Sequence, residues 1–252
     1  HIEIVKLQCK SDKGKLKGGG HLELQNWYPT NYHLQLKGKN FQLFDLPELQ
    51  LNASPDLTIE GTGENIKVRG QLKLPYVKIY GQQEDGNITN SKDLEIVDST
   101  LLPTEEKTLK YDIDVQLLLG KEVFLHAIGI NARLGGDLRV QSTRAEKLVG
   151  HGKLYVIQGT YSGRGASLEI NRGNIYFTGG PLNQPELDIL ALRRMNEIEA
   201  GVILTGTPQE LDIKLYSRPI MPESDIISYI FTGQPMTGSR SPSNPVSYTH
   251  LR

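Results

Sequence analysis

The chain of 252 residues is long enough for one large domain or two small ones, but its hydrophobic fraction of 37% is low for a compact globule. A formal net charge of −1 gives no electrostatic reason to expect nucleic acid as a partner. With the single cysteine Cys9 and scattered histidines, the sequence excludes an internal disulfide and offers no set of zinc ligands, so we expect no cofactor.

Alternation of apolar and polar residues runs along most of the chain and predicts β-strands with one apolar face. In residues 109–119, LKYDIDVQLLL, the apolar residues share one face, and Asp112 and Asp114 share the other. We interpret this acidic pair as the solvated side of a strand. Shorter runs of the same kind lie at 32–36, 57–59, 66–68, 72–74, 77–79, 154–156, 187–191, 198–204 and 211–215.

The alternation is interrupted in two places. In residues 123–134, VFLHAIGINARL, the apolar residues switch from odd to even positions. A β-bulge near 127–129 is the simplest way to keep them on one face. In residues 167–180, SLEINRGNIYFTGG, the turn-forming cluster Asn171–Asn174 separates two alternating runs. This second pattern predicts a β-hairpin.

One helix is predicted, at residues 221–233, after a sheet domain that spans 1–220. Pro222 suits a first helical turn, and Gly233 suits a helix end. We expect this helix to cap the end of the sheet, with docking of a partner as the alternative role. Its apolar stripe is formed by Ile226, Ile227, Ile230 and Phe231. Residues 234–252 have no periodicity and are predicted to be a disordered tail, with 236–252 a candidate non-native extension.

A sheet with one apolar face has to bury that face, and one short helix cannot cover it. We therefore predict an all-β fold, rich in antiparallel pairs, whose sheet curls around an apolar groove. An acyl chain or another unfolded apolar strand would suit such a groove; a closed β-sandwich without a transport role is the alternative. The predicted lining residues are Tyr111, Ile113, Val115, Leu117, Ile130, Leu134, Leu154, Val156, Leu168, Ile170, Ile175, Phe177, Leu187, Ile189, Val202, Leu204, Leu211 and Ile213.

No catalytic constellation is visible in the sequence. None of the histidines has the i, i+4 spacing of a metal-binding helix or lies in a nucleophile motif. We therefore expect that the protein is not an enzyme.

A set of ordered motifs identifies a family resemblance. The motifs are Gly159-Thr160-Tyr161, Leu168-x-Ile170-x-Arg172-Gly173, Phe177-x-Gly179-Gly180, Pro185-x-Leu187-x-Ile189 and Arg193. Together with upstream residues 54–79, this pattern strongly resembles the C-terminal domain of the TamB (translocation and assembly module) family, which is related to AsmA-like envelope bridges.

The resemblance implies an envelope protein of diderm bacteria that spans the periplasm, with an inner-membrane anchor outside this sequence. It also implies a groove-forming sheet and an outer-membrane barrel partner of the TamA or BamA type. The implied roles are outer-membrane protein assembly and phospholipid passage between the two membranes.

Overall fold

The computed structural model describes residues 2–11, 14–25, 28–62, 65–81, 110–142 and 147–236. Thirteen strands and one helix follow each other along this part of the chain. They are β1 (Ile2–Lys10), β2 (Lys15–Gln25), β3 (Tyr28–Lys39), β4 (Phe41–Asp45), β5 (Leu49–Thr62), β6 (Asn65–Tyr80), β7 (Lys110–Ala127), β8 (Ile130–Ser142), β9 (Leu148–Gly163), β10 (Ala166–Pro181), β11 (Glu186–Met195), β12 (Ile198–Thr207), β13 (Glu210–Arg218) and α1 (Glu223–Thr232).

All of these strands belong to one sheet. Strands β1 to β3 pair in sequence order, β3 and β4 both pair with β5, and each strand from β5 to β12 pairs with the next. The pairs are antiparallel except for β6 and β7, which run parallel. The sheet does not close, and this confirms the predicted curled sheet, rich in antiparallel pairs, with one short helix. The alternative of a closed sandwich is wrong for the described residues, because their strands form a single open sheet.

Cross-strand register keeps most of the apolar residues on one face, which we call the apolar face. Paired residues lie on the same side of a sheet, so the row Leu34, Ile59, Val68 and Ile113 shares a side across β3, β5, β6 and β7. β-Bulges preserve this arrangement where the spacing between successive apolar residues of a strand changes. One bulge lies in the pairing of β8 with β9, between Arg133 and Leu134.

The bulge predicted near residues 127–129 is wrong. Strand β7 ends at Ala127, and Ile128 and Gly129 form a tight turn into β8, with φ of 51° and 76°. Positive φ at both central residues is the geometry of a type I′ hairpin turn, and glycine at the second position fits it. The parity change therefore marks a change of strand.

The hairpin predicted within residues 167–180 is also wrong. This stretch lies inside β10, which pairs with β9 along one edge and with β11 along the other. A register shift between Ile170 and Arg172 absorbs the parity change. Gly173 is needed for space, because an added Cβ would lie 2.6 Å from a methyl carbon of Val156. The turn-forming residues Asn171–Asn174 therefore lie at a bulge within a continuous strand, not at a turn between two strands.

Glycine permits the close approach of two neighbouring strands, β8 and β9. Gly152, in the middle of β9, has φ of 140°, a value that other residues rarely adopt. A Cβ added there would lie 2.5 Å from the carbonyl oxygen of Asp137 on β8. A side chain at this position would therefore push the two strands apart.

Substitution Gly152→Ala is expected to lower the free energy of unfolding by about 1–3 kcal/mol, because the alanine would be strained and would collide with the β8 backbone. Urea denaturation measures this change. Gly180→Ala on β10 is the matched control, since no atom lies within 4 Å of the Cβ it would add. Equal stability of the two variants would contradict the proposed role of Gly152.

Candidate functional site

The apolar face contains every lining residue predicted from the sequence. Leu154 on β9 pairs with Ile175 on β10, and Ile175 pairs in turn with Leu187 on β11. On the following strands, Ile189 pairs with Leu204, and Leu204 pairs with Ile213. The register thus brings together side chains that are far apart in the sequence.

Exposure differs along this face. Val115 and Leu168 are buried, at 8% and 5% exposure. Tyr111, Leu211 and Ile213 are 45%, 42% and 60% exposed. The remaining predicted lining residues are half-buried. A mostly half-buried apolar face is one that a further apolar molecule can still contact.

The same face continues into β3, β5 and β6, beyond the predicted set. Leu36 pairs with Leu57, and Leu72 pairs with both Pro55 and Leu117. The sequence showed alternating apolar residues in these strands. Only the register with β7 shows that these residues lie on the same side of the sheet as the predicted set. The predicted set lies on the seven strands β7 to β13, and the apolar face therefore extends over at least three strands more.

Helix α1 packs on the apolar face at its C-terminal end. Ile226 and Ile230 are each 5% exposed and form a core with residues of β10, β11 and β12. Those residues are Ala166, Leu168, Ala191 and Ala200. Small side chains on the sheet leave room for the helix to approach.

The predicted stripe of the helix divides into two parts. Ile226 and Ile230, which are four residues apart, lie against the sheet, whereas Ile227 and Phe231 are 46% and 47% exposed. The helix covers the sheet at β10 to β13. Whether it acts as a cap for the groove stays a prediction.

Arg193 connects the sheet to the end of the helix. Register places it on the apolar face, where it pairs with Ala200. Its Nη1 donates hydrogen bonds to the carbonyl oxygens of Ile230 and Phe231, at 3.0 and 3.2 Å. These carbonyls lie at the negative end of the helix dipole, and the last helical turn has no basic residue of its own. Arg193 therefore supplies the charge that the helix end lacks.

Sequence reasoning missed this role of Arg193, although a signal was present. The alternation Leu187, Ile189, Ala191 continues to Arg193, so the parity of the strand places a cation on its apolar side. A charge in that position requires a polar partner. The partner, a helix end, follows nearly forty residues later.

The opposite face, which we call the polar face, carries cross-strand ion pairs, although the buried Leu190 and Leu192 of β11 also lie on it. Arg69 contacts Asp112 at 2.6 Å, and Arg139 contacts Asp114 at 2.7 Å. Hydrogen bonds from these arginines lower the pKa of both carboxyl groups below the ordinary value for aspartate. Both acids are therefore ionised near neutral pH, which agrees with their interpretation as the solvated side of a strand and not as a general acid.

Among the described residues, neither a cluster of metal ligands nor a membrane-spanning helix is present. That part of the chain holds no group of three or more His, Cys, Asp or Glu side chains arranged to bind a metal ion. The single described helix is too short to span a bilayer. Residues 237–252, including most of the predicted tail, lie outside the described part of the chain.

Comparison with known proteins agrees with the motifs. The family model described as "TamB C-terminal domain" matches residues 6–247. The translocation and assembly module subunit TamB of Haemophilus influenzae (strain Rd) is 27% identical over 253 aligned positions, which cover 90% of this chain. The match covers 19% of that relative, so the chain spans about one fifth of its length.

Replacement of Arg193 by methionine is expected to weaken docking of α1, because it removes two charge-assisted hydrogen bonds at the helix end. Such bonds contribute about 1.5–3 kcal/mol each when measured singly, so local opening of the helix should increase at least about tenfold. Hydrogen exchange of the helix amides measures the opening.

Arg194→Met is the matched control for this experiment. Arg194 is the next residue and bonds Glu169 and Glu199 on the polar face, at 2.8 and 3.0 Å. It has no described contact with the helix. Equal amide exchange in the two variants would exclude the role assigned to Arg193.

Proposed function

Because this chain belongs to the TamB C-terminal domain family, we propose that its apolar face is a groove for phospholipid acyl chains in the bacterial envelope. The observation that supports this proposal is the continuity of the face. Apolar rows cross from β3 to β13, and among the described residues only α1 packs on them, at β10 to β13. An open apolar surface of this extent calls for an apolar occupant.

Energetics favour a conduit over a tight pocket. An acyl chain gains about 0.8 kcal/mol for each CH₂ group removed from water, but a bilayer provides the same gain. A groove lined by Leu, Ile and Val can therefore exchange acyl chains with a membrane at little net cost. Polar atoms fixed along the groove would be needed for selective binding, and the predicted lining residues are aliphatic or aromatic.

The setting proposed for this groove is the periplasm, between the two membranes of the envelope. The relative from Haemophilus influenzae is named a translocation and assembly module subunit, and the present chain matches about one fifth of it. We propose that the complete protein is anchored in the inner membrane and works with an outer-membrane barrel of the TamA or BamA type.

A second candidate occupant is an unfolded strand of an outer-membrane protein. The observation that favours it is the free edge of β13, which pairs only with β12 among the described strands. Its residues Leu211 and Ile213 are exposed on the apolar face. An extended peptide could add to this edge by backbone hydrogen bonds and rest apolar side chains beside these two residues.

A photo-reactive amino acid at Leu154 is expected to yield phospholipid adducts in cells, because this side chain lies on the apolar face. The same probe at Lys153, the preceding residue on the polar face, is the control and should yield at least about tenfold fewer. Mass spectrometry identifies the adducts. Adducts to outer-membrane precursors alone would favour the second candidate, and equal lipid yields at both positions would contradict the groove.

Substitution Leu154→Arg is expected to abolish function. Burial of a charge against the apolar rows costs several kcal/mol of free energy, and the arginine side chain obstructs the path of the acyl chain. Complementation of a strain that lacks the protein measures this loss. Tyr155→Arg adds the same charge on the polar face, where Tyr155 is 42% exposed, and should complement. Full complementation by Leu154→Arg, with normal protein levels, would show that the apolar face is not the working surface.

A further inference from the structure

A pocket on the polar face lies on the opposite side of the sheet from the groove. It has a volume of about 360 Å³ and spans β7, β8 and β9. Two register rows form it: Phe124 with Arg133 and Gln158, and His126 with Asn131 and Thr160. The side chains of these six residues line the pocket.

Arg133 has no carboxylate partner in this pocket. Arg69 and Arg139 on the same face each have an aspartate within 3 Å, namely Asp112 and Asp114. The cross-strand neighbours of Arg133 are instead Phe124 and Gln158, which carry no charge. Arg133 is half-buried, so its charge is less well solvated than that of an exposed side chain.

The Nε atom of Arg133 is an orphan donor. It is buried and has no hydrogen-bond partner among the described residues. Buried donors without partners are rare in folded proteins and often indicate a bound ion or water. A guanidinium group that lacks a counter-ion is suited to bind an oxyanion through two of its N–H groups.

His126 adds a second polar group with a fixed orientation. Its Nδ1 donates to the side-chain oxygen of Asn131 at 2.7 Å, and its ring stacks on Tyr80 with centroids 5.1 Å apart. These contacts leave Nε2 without a partner among the described residues. Phe124 lies beside the same ring, with centroids 6.4 Å apart, and supplies an apolar wall.

We propose that this pocket binds a phosphoryl group carried on a small organic moiety. Arg133 takes two phosphoryl oxygens, while Gln158 and Thr160 offer further hydrogen bonds. Phe124 lines the same pocket and offers an apolar surface to the organic moiety. The pocket and the groove lie on opposite faces, so this proposal does not depend on the proposed function.

The test is titration of the 252-residue chain with glycerol 3-phosphate at low ionic strength, followed by calorimetry, with glycerol as the uncharged control. Saturable binding is expected for the phosphate ester and none for glycerol. Arg133→Gln should weaken binding at least tenfold, and Arg133→Lys should weaken it less, because it keeps the charge but loses the two-pronged geometry. Arg139→Gln, which removes an equal charge from the same strand, should change binding less than twofold.

Two further measurements complete the design. In the wild-type chain, the ¹⁵Nε signal of Arg133 should shift on titration, which tests the site even where a variant is unstable. Vesicles with phosphatidylglycerol, compared with vesicles of phosphatidylcholine alone, distinguish a lipid headgroup from a soluble ester; Arg133-dependent binding of either probe supports the proposal. Absence of saturable binding to both, or equal losses in Arg133→Gln and Arg139→Gln, would overturn it.

Discussion

Register between neighbouring strands is the constraint on which this structure depends. Side chains alternate between the two faces of a strand, so a slip of one residue would move a whole strand's apolar set to the polar side. Thirteen strands hold a common register through several bulges. Where apolar residues switch between odd and even positions within a strand, a bulge takes up the extra residue and keeps them on the same face. The bulge between Ile170 and Arg172 is an example. A continuous apolar face is the direct result.

The two faces of the sheet differ in the kind of contact that they make. On the apolar face, contacts are non-directional and a guest can slide or exchange. On the polar face, arginine–aspartate pairs link neighbouring strands at defined positions, although such exposed pairs add little stability individually. Two arginines depart from this pattern. Arg193 crosses to the apolar side and binds a helix end, and Arg133 remains on the polar side without an acid.

Sequence reasoning predicted one-faced strands, the single helix and the family, because alternation, capping residues and ordered motifs are local signals. Its predictions were wrong where a sequence pattern has two structural explanations that only strand pairing can distinguish. At the Ile128–Gly129 turn and at the bulge between Ile170 and Arg172, the apolar residues switch between odd and even positions. Only the partner strand distinguishes a chain reversal from an extra residue. The four apolar residues of the helix looked alike, but contact with the sheet buries only Ile226 and Ile230. The pocket around Arg133 joins β7, β8 and β9, so no local pattern indicated it.

The linear order of the sheet has a consequence for how the protein can evolve and fold. Each strand makes its extensive contacts with its hydrogen-bonded neighbours, much as repeats do in a solenoid. Stability in such an array is close to a sum of nearest-neighbour terms, and order can spread from any pair outward. A hairpin gained or lost within the antiparallel part would change the length of the sheet without redesign of a central core. Length is thus an adjustable property of this architecture.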